Sequence, residues 1–263
     1  MIKDKKPEKV ILDLRYLPDQ KPIQNRIEET GIVCISTMNC FHEEVQVENV
    51  LYVTDDPIKA KKLKALDAAV LIYLHEGNRE QSFSGIRYFI EGFDDVDATY
   101  FKRIYQREKK IPWTIGETDS LCVREMRVED TDALYSLYKN KSVVKFMEDL
   151  PGNKEEEREY IAEYIDKVYG FQEFGMWIVV KKDSGEIIGR VGFQNSELPD
   201  TAELGFLIVP AYQRKGYAFE ACKIAISYMK ETFPEIHLKA KCCKENEAGI
   251  ALCQKLCMEL EMI

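Results

Sequence analysis

The stretch from Val209 to Ala221, VPAYQRKGYAFEA, limits what this chain can fold into more than any other. Before it lies the apolar run AELGFLIV (202–209), which reads as a strand; after it, apolar residues recur at Ala218, Ala221, Cys222, Ala225, Tyr228 and Met229. That spacing has the period of a helix, which starts near Arg214 or Lys215. A strand that turns tightly into a helix leaves the helix's first backbone N–H groups unpaired and pointing one way, with the positive end of the dipole behind them. The result is an anion site built from backbone. Gly216 lets an anion approach closely, and Arg214 and Lys215 add positive charge at the rim. The plainer alternative is a first-turn glycine beside two solvated basic residues. The spacing of a P-loop, GxxxxGK[ST], is absent.

A basic cluster stands out because the chain carries a formal net charge of -9. That charge opposes a nucleic-acid backbone as a general partner and makes an amine-bearing substrate easier to accommodate than a polyanion. No apolar run reaches the roughly 18–20 residues that span a bilayer, and MIKDKKPEKV at the start lacks a signal peptide's apolar core, so a cytoplasmic protein without a membrane partner is expected. The eight cysteines, Cys34, Cys40, Cys122, Cys222, Cys242, Cys243, Cys253 and Cys257, contain no CxxC pair and have only three histidines to help them. No metal site is expected, and the cysteines at apolar positions read as small hydrophobes.

The chain is long enough for two domains. In the first part, VILDL (10–14), GIVCIS (31–36), VLYVTDD (50–56), AAVLIYL (68–74) and IRYFIEG (86–92) alternate with charged helical runs, the pattern of an α/β layer with a parallel sheet. Residues 97–110 read as an exposed helix, and IPWTIGETDS (111–120) as the boundary, giving domains at 1–115 and 120–263. The second part runs strand (121–127), a helix through Tyr138, a helix over 154–169, a β-hairpin (176–194) around DSGE, a third strand (202–209), and then the opening stretch.

In this order QRKGYA has the form QxxGxA, and it resembles the coenzyme A pyrophosphate loop of the GNAT acetyltransferase family, whose usual pattern is Q/R-x-x-G-x-G/A. The resemblance covers residues 121 to roughly 257 and includes the strand IHLKAKC (236–242) and a last helix from Asn246. It implies a mixed-sheet α+β domain in which Gln213, Arg214, Lys215, Gly216, Tyr217 and Ala218 offer N–H groups to the pyrophosphate of acetyl-CoA. It also implies that Phe206, Leu207, Ile208 and Val209 splay from the neighbouring strand, leaving edge groups for the pantetheine arm. Asn246 matches the family's cofactor-contacting asparagine; an ordinary helix cap is the alternative, and both roles are compatible.

The implied activity is direct transfer of an acetyl group from acetyl-CoA to a primary amine of a small molecule or a protein N-terminus. Glu203, at a position where many family members carry a carboxylate, is the expected general base; a salt-bridged strand residue is the alternative. Two departures bear on activity. The tyrosine that family members commonly carry seven residues after the asparagine is replaced by Cys253, which reads as packing. The family's two further strands are cut to KLCMELEMI, leaving none or a single short one. A CoA-binding or interaction module without turnover is therefore the alternative function. A homodimer stays open.

VLYVTDDPIKAKKLKALDAAVLIYL resembles the Rossmann-like core of the HAD phosphatase superfamily, over roughly residues 8–95. An active member needs a second aspartate two residues after its nucleophile, and Asp13 is followed by Leu14 and Arg15. Asp94 and Asp95 read as loop caps in preference to metal ligands. The resemblance thus implies a degenerate domain, with hydrolysis the least favoured activity. The junction PWTIGETDSLCVREMRVEDTDALYSLY, through Pro112, Trp113, Glu117, Arg124 and Glu125, is similar to that of HAD–GNAT fusions and implies a bacterial protein.

Overall fold

The computed structural model describes residues 5–17, 19–36, 45–94, 96–138 and 152–263; Cys40 and Asp95 lie outside these. The chain divides into two compact units, one ending at Ile111 and the other spanning Pro112–Ile263. Among the described residues no helix is long and apolar enough to cross a membrane.

The first unit is a five-stranded parallel sheet. Its strands are β1 (Lys9–Asp13), β2 (Val33–Ser36), β3 (Val50–Thr54), β4 (Ala69–Tyr73) and β5 (Phe89–Ile90), in the order β2-β1-β3-β4-β5. Every residue of β3 is buried, and all of β4 but Tyr73, as expected of parallel strands covered on both faces. Helices α1 (Lys21–Glu28), α2 (Pro57–Ala65) and α3 (Ala98–Glu108) complete it. Asp56 caps α2 by accepting the Ile58 and Lys59 N–H groups, with Pro57 in the first turn where its missing N–H is harmless.

The second unit is a seven-stranded mixed sheet in the order β12-β11-β10-β9-β8-β7-β6. The two units divide within IPWTIGETDS, between Ile111 and Pro112, and the rest of that stretch belongs to the second unit. Thr114–Glu117 is strand β6, antiparallel to β7 (Leu121–Arg124), and Trp113 before it is only 3% exposed. The turn residues Thr118–Ser120 close this short hairpin. Beyond β7 come α4 (Thr131–Tyr138), α5 (Lys154–Tyr164), β8 (Met176–Lys181), β9 (Ile187–Asn195) and β10 (Thr201–Ile208), with β8, β9 and β10 an antiparallel meander. Helix α6 (Tyr217–Thr232), β11 (His237–Cys242), α7 (Glu247–Lys255) and β12 (Glu259–Met262) follow. β11 and β12 run parallel to β10, so a single short strand follows α7.

The long second helix is interrupted. After Tyr164 the chain makes a π-helical turn, Ile165–Tyr169. In an ideal α-helix residues five apart point to different sides. The wider turn brings Tyr164 and Tyr169 together, with ring centroids 5.2 Å apart, and both grip the start of β8. Tyr164 Oη accepts the Met176 N–H at 2.7 Å, and Tyr169 donates to the Met176 carbonyl at 2.6 Å. β9 packs there with no room for side chains, since a Cβ on Gly192 would stand 2.0 Å from the Gly175 carbonyl oxygen.

Candidate active site

The β10–β11 ladder runs from Thr201–His237 to Leu204–Ala240 and stops there, while β10 continues against β9 as far as Ile208. The Val209 N–H donates to the Ile188 carbonyl, which fixes the alternation: backbone groups of odd-numbered residues face β9 and those of Phe206 and Ile208 face the edge that β11 has left. The segment Phe206–Val209 therefore has an open edge. The Ile208 carbonyl on that edge is taken by the Gln213 side-chain amide at 2.7 Å. Gln213 thus ties the loop to the strand end, and its side chain faces the strand.

The loop departs from the expected helix start. Arg214 has φ +59° and Gly216 φ +89°, so helix α6 begins only at Tyr217. Two left-handed residues this close gather successive N–H groups into a concavity. Gly216 is the N-cap and offers no side chain, and the backbone N–H groups from Arg214 to Phe219 find no acceptor among the described residues. A Cβ on Gly216 would meet nothing within 4 Å, so the site above it is open space. Lys215 leans over the Tyr212 ring, 5.2 Å from its centroid, and Tyr212 donates to Glu186 at 2.5 Å. The one acid in the first turn, Glu220, is turned aside by the Thr118 and Ser120 hydroxyls, which removes a negative charge that would oppose an anion.

Asn246 is the N-cap of α7, its Oδ1 accepting the Gly249 N–H at 3.0 Å. Its side-chain NH2 has no acceptor among the described residues, so the cap and a ligand contact do not compete. Cys253 is fully buried, with its Sγ 3.9 Å from Cys242 Sγ, and burial pushes its thiol up to about 12. It packs, as its short side chain suggested, and at neutral pH it is a poor proton donor to a departing thiolate.

Glu203 is already engaged by donors, the arrangement of the salt-bridged alternative. It lies where β10 is still paired with β11, and its Oε1 accepts from Ser196 at 2.7 Å and Lys241 at 2.9 Å, with Lys239 at 3.5 Å. Partial burial alone would raise its pKa, but these hydrogen bonds and charges outweigh it and hold the carboxyl below its ordinary value. A carboxylate so occupied is a weak base. We expect Glu203→Gln to leave steady-state turnover within about twofold of the parent and to act on stability. Because the folded pKa is depressed, Glu203's contribution is complete above the ordinary carboxylate range and is lost as pH falls through the depressed value. The stability gap between parent and variant should thus be open at pH 7 and close below about pH 4, as thermal melts would read.

A second polar group was not picked out from the sequence. Arg190, in the middle of β9 and paired in register with Leu207, is 7% exposed and donates to the Tyr138 hydroxyl at the end of α4. Glu157 on α5 is 1% exposed; among the described residues neither of its oxygens, nor Arg190 Nε, has a hydrogen-bond partner. Burial raises the Glu157 pKa, partly opposed by the Arg190 charge. In KEEEREY this glutamate looks like one more solvated acid; the legible signal was Arg190, a lone charge inside IIGRVGF.

An opened strand pair leading into an uncapped glycine turn is the layout of an acetyltransferase. The GNAT acetyltransferase domain profile matches residues 120–259, over half of the chain, and the protein belongs to that family. It is similar to the uncharacterized N-acetyltransferase YoaA of Bacillus subtilis (strain 168), 27% identical over 154 residues, 56% of this chain and 84% of that one. The uncharacterized N-acetyltransferase p20 of Bacillus licheniformis is 26% identical over 145 residues, 55% of this chain and 82% of that one. Among solved structures, apo RimL, a ribosomal L7/L12 alpha-N-protein acetyltransferase, aligns with a TM-score of 0.48 at 20% identity, over 55% of this chain and 79% of that one.

Proposed function

We propose that the second unit binds acetyl-CoA and transfers its acetyl group directly to a primary amine, on a small molecule or a protein N-terminus. The observation that carries this is the early end of the β10–β11 ladder at Leu204–Ala240, followed at once by the unpaired N–H groups of Arg214–Phe219. In this reading the N–H groups of Arg214–Ala218 hold the pyrophosphate electrostatically, while Gln213, whose N–H is already donated to the Pro210 carbonyl, positions the loop and is not itself a donor. The open edge at Phe206–Val209 pairs with the amides of the pantetheine arm as an added strand would. That arm leads the thioester into the gap between β10 and β11, where an amine is held against it and the reaction gains from proximity. Asn246, at the start of α7, adds a polar contact through its free amide.

The test is calorimetric binding of acetyl-CoA and thiol release in its presence with a panel of primary amines, including free peptide N-termini. Binding with acceptor-dependent thiol release is the expected result. Binding without release from any amine would favour the second reading, a CoA-binding module without turnover, which draws on the burial of Cys253.

The first unit is proposed as a degenerate HAD-like domain acting as a scaffold. Asp13, where that superfamily would carry its nucleophile, is buried and ion-paired with Lys59, and no cluster of acids, cysteines or histidines among the described residues could hold a metal. A carboxylate neutralised by an ammonium makes a poor nucleophile.

A further inference from the structure

Arg190, Tyr138 and Glu157 form a buried polar group on one face of the sheet, one strand from the open edge of β10. Arg190 and Leu207 are register partners, and Leu207 lies between Phe206 and Ile208, whose backbone groups face the gap. The group is incompletely satisfied. Arg190 reaches the Tyr138 oxygen, but no ion pair among the described residues joins it to Glu157. A carboxylate with no donor among the described residues on either oxygen, at 1% exposure, is expensive to keep in a protein interior. Such a group calls for a partner outside the chain.

We propose that Glu157 is the acceptor-binding carboxylate of this acetyltransferase, its oxygens receiving the ammonium of a primary amine beside the opened β10 edge. Arg190 selects against a second cationic group on the same molecule, so the acceptor class is a singly charged amine in preference to a polyamine. The proposal rests on the acetyltransferase reading and gives it the base that Glu203 does not supply. One ammonium proton moves to a Glu157 oxygen, and the freed nitrogen pair forms the N–C bond to the thioester carbonyl. The C–S bond breaks with its electron pair on sulfur, and a second proton from the same nitrogen neutralises the thiolate. The third stays on the amide. No cysteine or tyrosine has to act as acid, which accommodates Cys253 in the core.

The titratable and charged groups facing Glu157 are Arg190 from β9 and Tyr138 from α4; Tyr160 on its own helix faces Tyr138, and Tyr164 and Tyr169, flanking the π turn, face Arg190. Asp130, from the turn before α4, is tied to Arg124. The full chain, with and without acetyl-CoA, is titrated with ethylamine hydrochloride against equal sodium chloride while its melting temperature is followed. Ethylamine is expected to stabilise the parent, Glu157→Gln to need at least tenfold more amine for the same shift, and Glu157→Asp to recover part of the response. The parent's response should fade as pH falls and Glu157 takes a proton. Equal responses in parent and Glu157→Gln, or none in either, overturn the proposal. A lowered melting temperature with the amine response unchanged assigns Glu157 a structural role and overturns it as well. Acetyl-CoA affinity, expected to be equal in both proteins, reads the acetyltransferase assignment separately. If the parent fails to bind acetyl-CoA, that assignment falls while the unloaded chain still reports on Glu157.

Discussion

Gly216→Glu should weaken acetyl-CoA binding by roughly several hundred-fold, the size expected when a charge of the anion's own sign is placed at its site. Two unit charges about 4 Å apart near a protein surface interact by roughly 4 kcal/mol, and each 1.4 kcal/mol is tenfold in affinity. The side chain would enter open space above the loop, so it meets the ligand without clashing with the fold. Backbone strain is the competing effect, because Gly216 has φ +89° and an L-residue held there costs about 1–2 kcal/mol. Gly216→Ala carries that strain without the charge. Calorimetry should find the alanine variant within about tenfold of the parent and the glutamate variant well beyond it. Equal losses would assign the effect to loop geometry, and unchanged affinity in both would remove the loop as the pyrophosphate site.

Asp130→Ala should lower stability by about 3–5 kcal/mol, the cost of stranding a buried charge. Arg124 grips Asp130 with both ends of its guanidinium, Nη1 to Oδ2 at 2.7 Å and Nη2 to Oδ1 at 2.9 Å, and both residues are 4% exposed. Asp130 Oδ2 also accepts the Arg127 N–H at 2.7 Å, so the pair closes the turn between β7 and α4. Arg124→Lys should fail to replace it, since an ammonium cannot bond both oxygens in this geometry. Burial alone would raise the Asp130 pKa, but the Arg124 hydrogen bonds and charge outweigh it and the net shift is downward. The stabilisation is therefore complete above the ordinary carboxylate range and is lost as pH falls through the depressed value. Urea melts should separate parent and variant at pH 7 and bring them together only in acid below the ordinary aspartate range. Replacing both residues by apolar ones, Arg124→Met with Asp130→Leu, should recover much of the loss, because no unpaired charge then remains.

Much of the second unit was legible because its signals are local. The hairpin across DSGE, the strand 202–209 and the helix with Ala221, Cys222, Ala225, Tyr228 and Met229 inward each follow from periodicity within a few residues, and these five helical positions are buried. The errors are also local in origin. The helix start was placed two or three residues early because Arg214 takes a left-handed conformation that glycine, and not arginine, would have announced. Thr114–Glu117 was hidden as a strand because a stretch with glycine, threonine and serine can end a domain or close a hairpin, and only pairing with β7 distinguishes the two. The π turn at Ile165–Tyr169 has no signature in spacing; it exists because Tyr164 and Tyr169 both find Met176.

The carboxylates divide what each level decides. Sequence alone located the glycine turn between a strand and a helix, because its unpaired N–H groups follow from backbone geometry that neighbours in the chain set. Sequence could not rank Glu203 against Glu157, since both lie in charged, otherwise ordinary segments. Tertiary structure gave them different surroundings, bringing Lys239, Lys241 and Ser196 onto Glu203 and burying Glu157 with no hydrogen-bond donor to its oxygens among the described residues. The reactivity of a carboxylate depends on which donors and how much water surround it, and both come from residues far along the chain.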